Sequence, residues 1–569
     1  MHVARVVRKY KDREYVSHLL RRSFREDGKV RHETLGNISA LPIETIELIK
    51  GSLRGTAYVP AGAAIRTLRS LPHGDVAAVW GLLDKLGLKA LLGPPCRSRD
   101  LALALICSQV LEPSSKAAYA TWWQDRTLGV DLDVSSVNTD EIYEAMDWLF
   151  SRKDAIERGL LRRHLSEGAL VCYDLSSSWV KGSHCELAAF GHSRDGKRSK
   201  RQIEYGVVAT REGLPLAIEV FSGDTADPKS FEAIVDKLRR TYGLSRVCFV
   251  GDRGMITSAR IEALRQLGGL DWVSALRFVE IGSLVAAGAI QPSLFDTGNL
   301  CEIAHPDFSG ERLVCCKNPF LAAERARKRA ELLDVTEKKL AKIAAAVAAG
   351  RLRDAGKIGM RVGAVVNTHK MGKHFALVIG EGSFSFSRKA EQIEAEAALD
   401  GIYVIRTSLA SSEMSAAKVV ETYKSLSAIE RNFRTMKTVD VHIRPIRHRL
   451  ADRVRTHAFI CMLAAHLTWH LRRALAPLTF TDEAPPQRAD PVAPAKRSVA
   501  AGAKAASRTS AGGLELRPFQ GLLDHLATLT RNTHEVNDAG VRFDQLSEPT
   551  PTQRRAFELL GIAIPLRIT

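Results

Sequence analysis

The sequence predicts an α/β core, interrupted by an inserted α+β domain and preceded by a helical domain. Three observations carry that expectation. Residues 169–175 (ALVCYDL) form a continuous apolar run with one acid near its end, the pattern of a strand buried on both faces. A second apolar run, VCFVG, closes on Asp252 and gives way to a helix, and GIYVIRTS (401–408) returns to strand pattern just before another helix. Between these pieces residues 278–399 lose that order, and before them residues 61–165 place apolar side chains three or four apart, as packed helices do.

At 569 residues the chain has room for three or more domains, each with its own core. Its 82 Lys and Arg against 64 Asp and Glu give a net charge of +18, which favours a polyanionic partner, nucleic acid before an acidic membrane surface. The nine cysteines show no C-x-x-C and no paired metal spacing. Most lie in apolar runs, where a thiol is a small buried hydrophobe, so a reducing cytoplasm is expected rather than a disulfide framework. The opening MHVARVVRKYKDREY lacks the apolar core of a signal peptide, and the most apolar late run, 458–469, is too short to span a bilayer. A cytoplasmic protein with no membrane partner is expected. No Gly-rich phosphate loop of a kinase or dehydrogenase is present.

Residues 1–60 read as a small basic β-containing module that turns at Asp27-Gly28. In the helical domain, 61–165, Thr139 with its acidic first turn and Ser114-Ser115 before Lys116 mark helix starts. Helices this short have to pack on one another. The first part of the core, 166–277, begins with the strand that carries Asp174. An isolated charge on such a strand costs several kcal/mol unless it is paired or bound to a cation, although an Asp near a strand end is also a common cap. A strongly basic loop, HSRDGKRSKR, leads to RQIEYGVVA and LPLAIEVFS, which read as a hairpin turned through Thr210-Arg211-Glu212-Gly213. A helix opens at Asp227-Pro228, and the strand ending at Gly251-Asp252 is followed by a helix and by a last strand, LDWVSALR. Open α/β sheets bind ligands at the carboxyl ends of their strands, which makes Asp252 the second acid of interest. Asp224 and Asp227 compete for that role, but they suit the capping of the next helix better.

The inserted domain, 278–399, combines short β-like pieces with a charged helix from Pro319 to about Leu352, read as solvated and salt-bridged. The second part of the core, 400–476, ends in the apolar helix THAFICMLAAHLTWHLRRAL. Its His466 and His470 are one turn apart, with His457 nine residues earlier. Without an intervening Glu or a third ligand, packing is favoured over metal binding. Residues 477–513, rich in Ala, Pro, Gly and Ser, are expected to be a disordered linker. The tail, 514–569, is expected to be helical at PFQGLLDHLATLT and QRRAFELLGI.

The stretch 421–437, ETYKSLSAIERNFRTMK, reads as one helix of more than four turns. Leu426, Ile429, Phe433 and Met436 lay an apolar stripe along it, and Tyr423, Glu430 and Lys437, seven residues apart, stack beside that stripe. Spacing alone also fits a solvated helix face. Tyr423, Glu430 and Lys437 match the Tyr-x2-Arg-x3-Glu-x6-Lys signature of a group of bacterial insertion-sequence transposases. YDLSSSW around Asp174, REGLPLAIEVFSGDTAD, VGDRGM around Asp252 and DGIYVIRTS add to the likeness. Over roughly residues 60–475 the chain resembles DDE transposases, in the group with a long insertion between the second Asp and the Glu. One position departs: the motif's Arg falls on Leu426, with Arg431 and Arg434 nearby.

The resemblance implies a ribonuclease-H-like catalytic core in which Asp174, Asp252 and Glu430 are both catalytic and metal ligands for two Mg2+ ions, with Mn2+ able to substitute. Carboxylate oxygens suit such hard cations, which serve in-line displacement at phosphorus. It implies that Tyr423, Arg434 and Lys437 contact DNA, that the helical domain binds DNA ends, and that double-stranded DNA, as terminal inverted repeats and target, is the partner of a homodimer. The implied reaction is strand cleavage at insertion-sequence ends followed by strand transfer. The alternatives are a catalytically decayed DNA-binding protein of the same fold and a nuclease without strand transfer. Some members of the wider group cut the second strand through a hairpin, using aromatic side chains of the insertion. No Trp lies between 278 and 400 here, which leaves Phe295, Phe308, Phe320, Phe375, Phe384 and Phe386 for such a role.

Overall fold

The computed structural model describes residues 1–568 except 12, 57, 59–64, 167, 192, 198, 226, 245, 246, 255, 257, 297 and 537–540; inside helices it also leaves out the side chains of 227–231, 240, 241, 258–260, 263, 267 and 292. The chain forms two units, Met1–Leu71 with Thr530–Ser547, and Pro72–Leu529 with Glu548–Thr569. In the first, β1 (His2–Tyr10), β2 (Arg13–Glu26) and β3 (Lys29–Asn37) make an antiparallel sheet, followed by the helix Ile43–Leu53. The β2–β3 turn places Asp27 and Gly28 at positive φ, as a tight hairpin requires. β4 (Ile65–Pro72) joins β15 (Thr530–Val536) and β16 (Val541–Leu546) in a second sheet. That last hairpin lies within the tail expected to be helical. Its first strand, TRNTHEV, is polar on both faces, so no alternation announced it.

In the second unit one sheet has eight strands: β5 (Ala169–Trp179), β6 (Gln202–Thr210), β7 (Pro215–Ser222), β8 (Val247–Val250), β9 (Leu270–Ala275), β10 (Leu300–Ile303), β11 (Arg312–Lys317) and β14 (Ile402–Thr407). Their order is β10-β11-β14-β9-β8-β5-β6-β7. β5, β8 and β9 are parallel, while β6 and β7 continue from β5 as antiparallel neighbours. β14 runs antiparallel to β9, and β11 to β14. The protein is therefore mixed α/β, and the inserted segment is only partly separate. Its apolar runs LCEI and RLVCCK extend the core sheet, because a buried strand needs a partner for every backbone group. Helices Pro319–Ala348 and Ala355–Thr368 and the hairpin of β12 (Phe375–Gly380) and β13 (Ser383–Arg388) close around an apolar cluster of their own. The long helix, expected to be solvated, buries Leu333, Leu340, Ile343 and Val347 on one stripe in that cluster.

Helix Ala451–Ala474 is the axis of the unit. Every side chain from Thr456 to Thr468 is buried, as a helix apolar on all sides must be. It packs on β7 and on helices Arg97–Leu111 and Thr139–Phe150. His457 Nε2 donates to the Ile443 carbonyl (3.0 Å) and His466 Nδ1 to that of Pro215 (2.9 Å), which pairs one nitrogen of each buried ring. Among the described residues no helix is long and apolar enough to cross a membrane. Residues 477–513, expected to be disordered, are folded: Val499–Ser507 is a helix capped by Ser498, and Val492 is fully buried. Polar anchoring replaces the missing apolar periodicity. Lys424 Nζ donates to the carbonyls of Val492 (2.8 Å) and Ala493 (3.2 Å).

Glu157, wholly buried, accepts hydrogen bonds from Ile218 N–H (2.9 Å), Lys153 (3.0 Å), Lys237 (3.1 Å) and the Tyr242 hydroxyl (2.6 Å). Removing its carboxylate leaves Lys153 and Lys237 to share Glu219 and Asp154 and strands the Ile218 N–H and the Tyr242 hydroxyl, so Glu157→Ala is expected to lower stability by about 3 kcal/mol in chemical denaturation. Burial, with the charges of Lys116 and Arg453, pushes His448 down to about 3. The folded state then binds fewer protons than the unfolded chain, whose His titrates near 6.5. The stability this gives is complete above about pH 6.5 and is lost as pH falls toward 3, which denaturation midpoints measured across that range will show.

Candidate active site

Sheet register brings the first two acids together. Cys172 of β5 is paired with Val250 of β8. Two residues further on in each case come Asp174, still within β5, and Asp252, just past the end of β8, so both acids lie at the same edge of the sheet. Asp174 Oδ1 accepts the N–H of Leu175 and Asp252 Oδ1 that of Arg253, both at 2.8 Å. Asp174 is half-buried and Asp252 exposed.

The third acid arrives on a helix laid across β5. The expected single helix, 421–437, is instead divided into Ala416–Lys424, Leu426–Arg434 and a π-turn, Thr435–Val439. At the joint the Ser425 hydroxyl donates back to the Thr422 carbonyl (2.6 Å), a local bond that bends helices. Ile429, Phe433 and Met436 are buried, and Leu426, at the departing motif position, packs partly buried against the same core. Below this helix Gly213 turns the β6–β7 hairpin at φ +87°, and a Cβ there would stand 2.8 Å from that of Ala428. Asn432 Nδ2 donates to the Gly213 carbonyl and ties hairpin to helix. Glu430 projects from the exposed side.

The charges of Asp252 and Glu430 reach Asp174. Burial is the largest cause pushing the Asp174 carboxyl up to about 6; the charges of Asp252 and Glu430 push the same way, against the Leu175 N–H and the Arg194 guanidinium. Burial likewise pushes the Tyr423 phenol up to about 12, helped by the charges of Asp252 and Glu430 and by its hydrogen bond to Asp252, with Arg253 opposing. Asp174, Asp252, Glu430 and Tyr423 therefore lie within reach of one another's charge. Arg434 is exposed and lines a cleft of about 740 Å³ with Arg431, Arg472 and Arg473.

Lys437, expected to contact DNA, is instead held by Asp195 (2.7 Å), which also takes Arg444 (2.6 Å). The basic loop around 192–201 folds back so that its one acid, Asp195, neutralises these cations, while Arg194 bears on Asp174. Arg194, Asp195 and Arg253 went unremarked in the sequence, although a single acid in so basic a loop was a signal. Asp224 accepts from Ser222 Oγ (2.6 Å) within its own turn. The side chain of Asp227, and Met255 and His192 from the motif stretches, lie outside the described residues. Of the six phenylalanines considered for that role, Phe320 is 67% exposed, whereas Phe295, Phe308 and Phe375 are buried and Phe384 stacks on Phe386.

The three carboxylates supply hard oxygen donors of the kind that suit a cation such as Mg2+, but their oxygens do not all lie within 4.8 Å of one another, so an ion would have to draw them closer. Asp154, Glu157 and Glu219 do converge, with oxygens within 4.8 Å, but Lys153 and Lys237 neutralise that cluster.

A family model described as "Transposase DDE domain" matches residues 181–467, just over half of the chain; the range holds Asp252 and Glu430 and begins after Asp174. A second, "IS1634 family transposase, N-terminal domain", matches residues 3–59. No curated protein matches the chain. Among solved structures, a cryo-EM structure of the piggyBac transposase synaptic complex with hairpin DNA is similar, at 10% identity and a TM-score of 0.36, over 80% of this chain and 76% of that one.

Gly213→Ala would force both a strained φ and a clash with Ala428. A loss of more than about 1 kcal/mol is expected, read as a lowered denaturation midpoint, because alanine at positive φ costs more than the entropy it saves.

Proposed function

The chain belongs to the transposase DDE-domain family, whose members catalyse DNA cleavage and strand transfer, and from that premise we propose that Asp174, Asp252 and Glu430 are its catalytic acids and metal ligands. The observation that carries this reading is their electrostatic convergence, with Asp174 raised by both partners. We further propose that β7-β6-β5-β8-β9 is a ribonuclease-H-like core, on the strength of its third-second-first-fourth-fifth strand order and its mixed directions.

Two Mg2+ ions, or Mn2+ in their place, would be held by these three carboxylates and would supply charge stabilisation for displacement at phosphorus. The chain's own residues do the rest. Asp174 and Asp252 are fixed by sheet register and by backbone N–H bonds, so their oxygens need not reorganise. Tyr423, whose phenol stays protonated against Asp252, presents a neutral donor and an aromatic face beside the acids. Arg431 and Arg434, exposed on the helix that carries Glu430, offer positive charge to a DNA backbone, although the cleft they line also holds Glu212, Asp482 and Glu483 and its Arg472 is paired with Asp440 (2.6 Å). Lys437, already engaged by Asp195, reaches a phosphate only if it leaves that ion pair. The partner proposed is double-stranded DNA, as inverted-repeat ends and target, with two copies of the chain holding two ends.

The test is Asp252→Asn on the purified full chain with labelled end DNA and Mg2+. Cleavage is expected to fall by more than the roughly 10–100-fold that loss of an outer-shell partner costs, with end binding retained. Unchanged cleavage would remove Asp252 from the site. Cleavage without joining by the unaltered chain would keep the acids and withdraw strand transfer.

A further inference from the structure

Away from the carboxylates, three imidazoles converge. His164 ends helix Lys153–His164, while His466 and His470 lie one turn apart on helix Ala451–Ala474. One ring nitrogen from each is within 4.8 Å of the other two. The ring centroids are 5.7 Å apart for His164 and His466, 6.3 Å for His164 and His470, and 5.0 Å for His466 and His470. The third ligand that sequence spacing withheld from the His466–His470 pair is thus supplied by a distant helix.

The wiring of the cluster is that of a ligand set. His466, buried, gives its Nδ1–H to the Pro215 carbonyl at 2.9 Å, which leaves Nε2 with its lone pair. Metal-binding imidazoles are held in this way, with the outer nitrogen donating to a carbonyl. His470 Nε2 is buried without a protein partner, a state that costs free energy until something binds it. The neighbouring cations are occupied elsewhere: Arg163 donates to the Leu86 carbonyl (2.9 Å), and Arg473 lies over the Trp469 ring (5.2 Å). Tetrahedral zinc sets its nitrogens about 3.4 Å apart, from bonds of about 2.0–2.1 Å. Small ring rotations close that gap, and His164, exposed at a helix end, has room to make them.

We propose that His164, His466 and His470 bind one divalent transition ion of the zinc class, with water in the fourth position open to solvent at His164. Three neutral nitrogens prefer such an ion over Mg2+, which favours oxygen. Its role is structural. It fastens the end of helix Lys153–His164 to the axial helix that backs β7.

The test uses the full-length chain as Asp252→Asn, so that the carboxylate trio contributes little, titrated with Zn2+ by calorimetry in excess Mg2+. One equivalent is expected to bind and to raise the melting temperature, and Co2+ in its place is expected to give the visible absorption of a tetrahedral nitrogen site. Adding His164→Gln or His470→Gln is expected to weaken binding at least tenfold and to abolish the thermal shift. Because His164 is exposed, its variant folds whether or not the His470 variant does, and it decides the matter. Zn2+ bound by His164→Gln with unchanged affinity, or no Zn2+ bound by the parent, would overturn the proposal.

Discussion

Asp174 is ionisable in a place that resists ionisation, and much of the second unit is organised to keep it there. Holding its carboxyl at about 6, against an ordinary value near 3.9, amounts to roughly 3 kcal/mol against the charged form. Two further carboxylates add to that pressure instead of relieving it. The parallel pairing of β5 with β8 brings Asp252, just past the end of β8, to the edge of the sheet where Asp174 stands, and a slip of one residue in that pairing would change which face Asp174 shares with its neighbours. The Gly213 turn, pressed against Ala428, sets how closely the Glu430 helix approaches the strands.

The same unit shows what such a cluster becomes when it is merely structural. Asp154, Glu157 and Glu219 lie as close together as metal ligands, but two lysines and a tyrosine hydroxyl fill their lone pairs. No comparable set of lysines stands among the charges that bear most on Asp174; Arg194 acts on it at a distance, and Lys437 is spent on Asp195. Acidic residues of one type thus reach two ends according to the counter-charge beside them. An acid cluster left short of positive charge is suited to hold a cation and to bring a phosphate near, which a neutralised one cannot do.

The acids themselves were legible because each sits in a strong local pattern. Asp174 interrupts an apolar run, Asp252 follows Gly251 at a strand end, and Glu430 flanks an apolar stripe. What escaped the sequence depends on distant partners or on features without periodicity. The Ser425 joint arises from one side-chain hydrogen bond, which helix propensity does not register. The tie between Lys437 and Asp195 is a tertiary pairing with a loop that composition marked only as basic. His164 meets His466 and His470 because two helices cross, and no spacing along the chain records a crossing. The hairpin of β15 and β16 and the order in 477–513 rest on polar contacts, where hydropathy is blind.

The long insertion leaves the trio intact for a topological reason. After β9 the chain adds β10 and β11 beyond the place of β14 and then comes back as β14, which lies beside β9 in the opposite direction. Whatever is built between those two strands begins and ends at neighbouring points, so its length does not alter where β14 sits. Closing a loop costs only about 0.6 kcal/mol more for each doubling of its length, so even a segment with its own apolar cluster is cheap to accommodate. From β14 the helix Ala416–Lys424 runs back over β9, and after the Ser425 bend Leu426–Arg434 reaches β5. The position of Glu430 is therefore set by the β9–β14 pairing, braced on its other side by β11 and by the buried Arg406–Glu311 pair (2.6 Å), and by the break at Ser425.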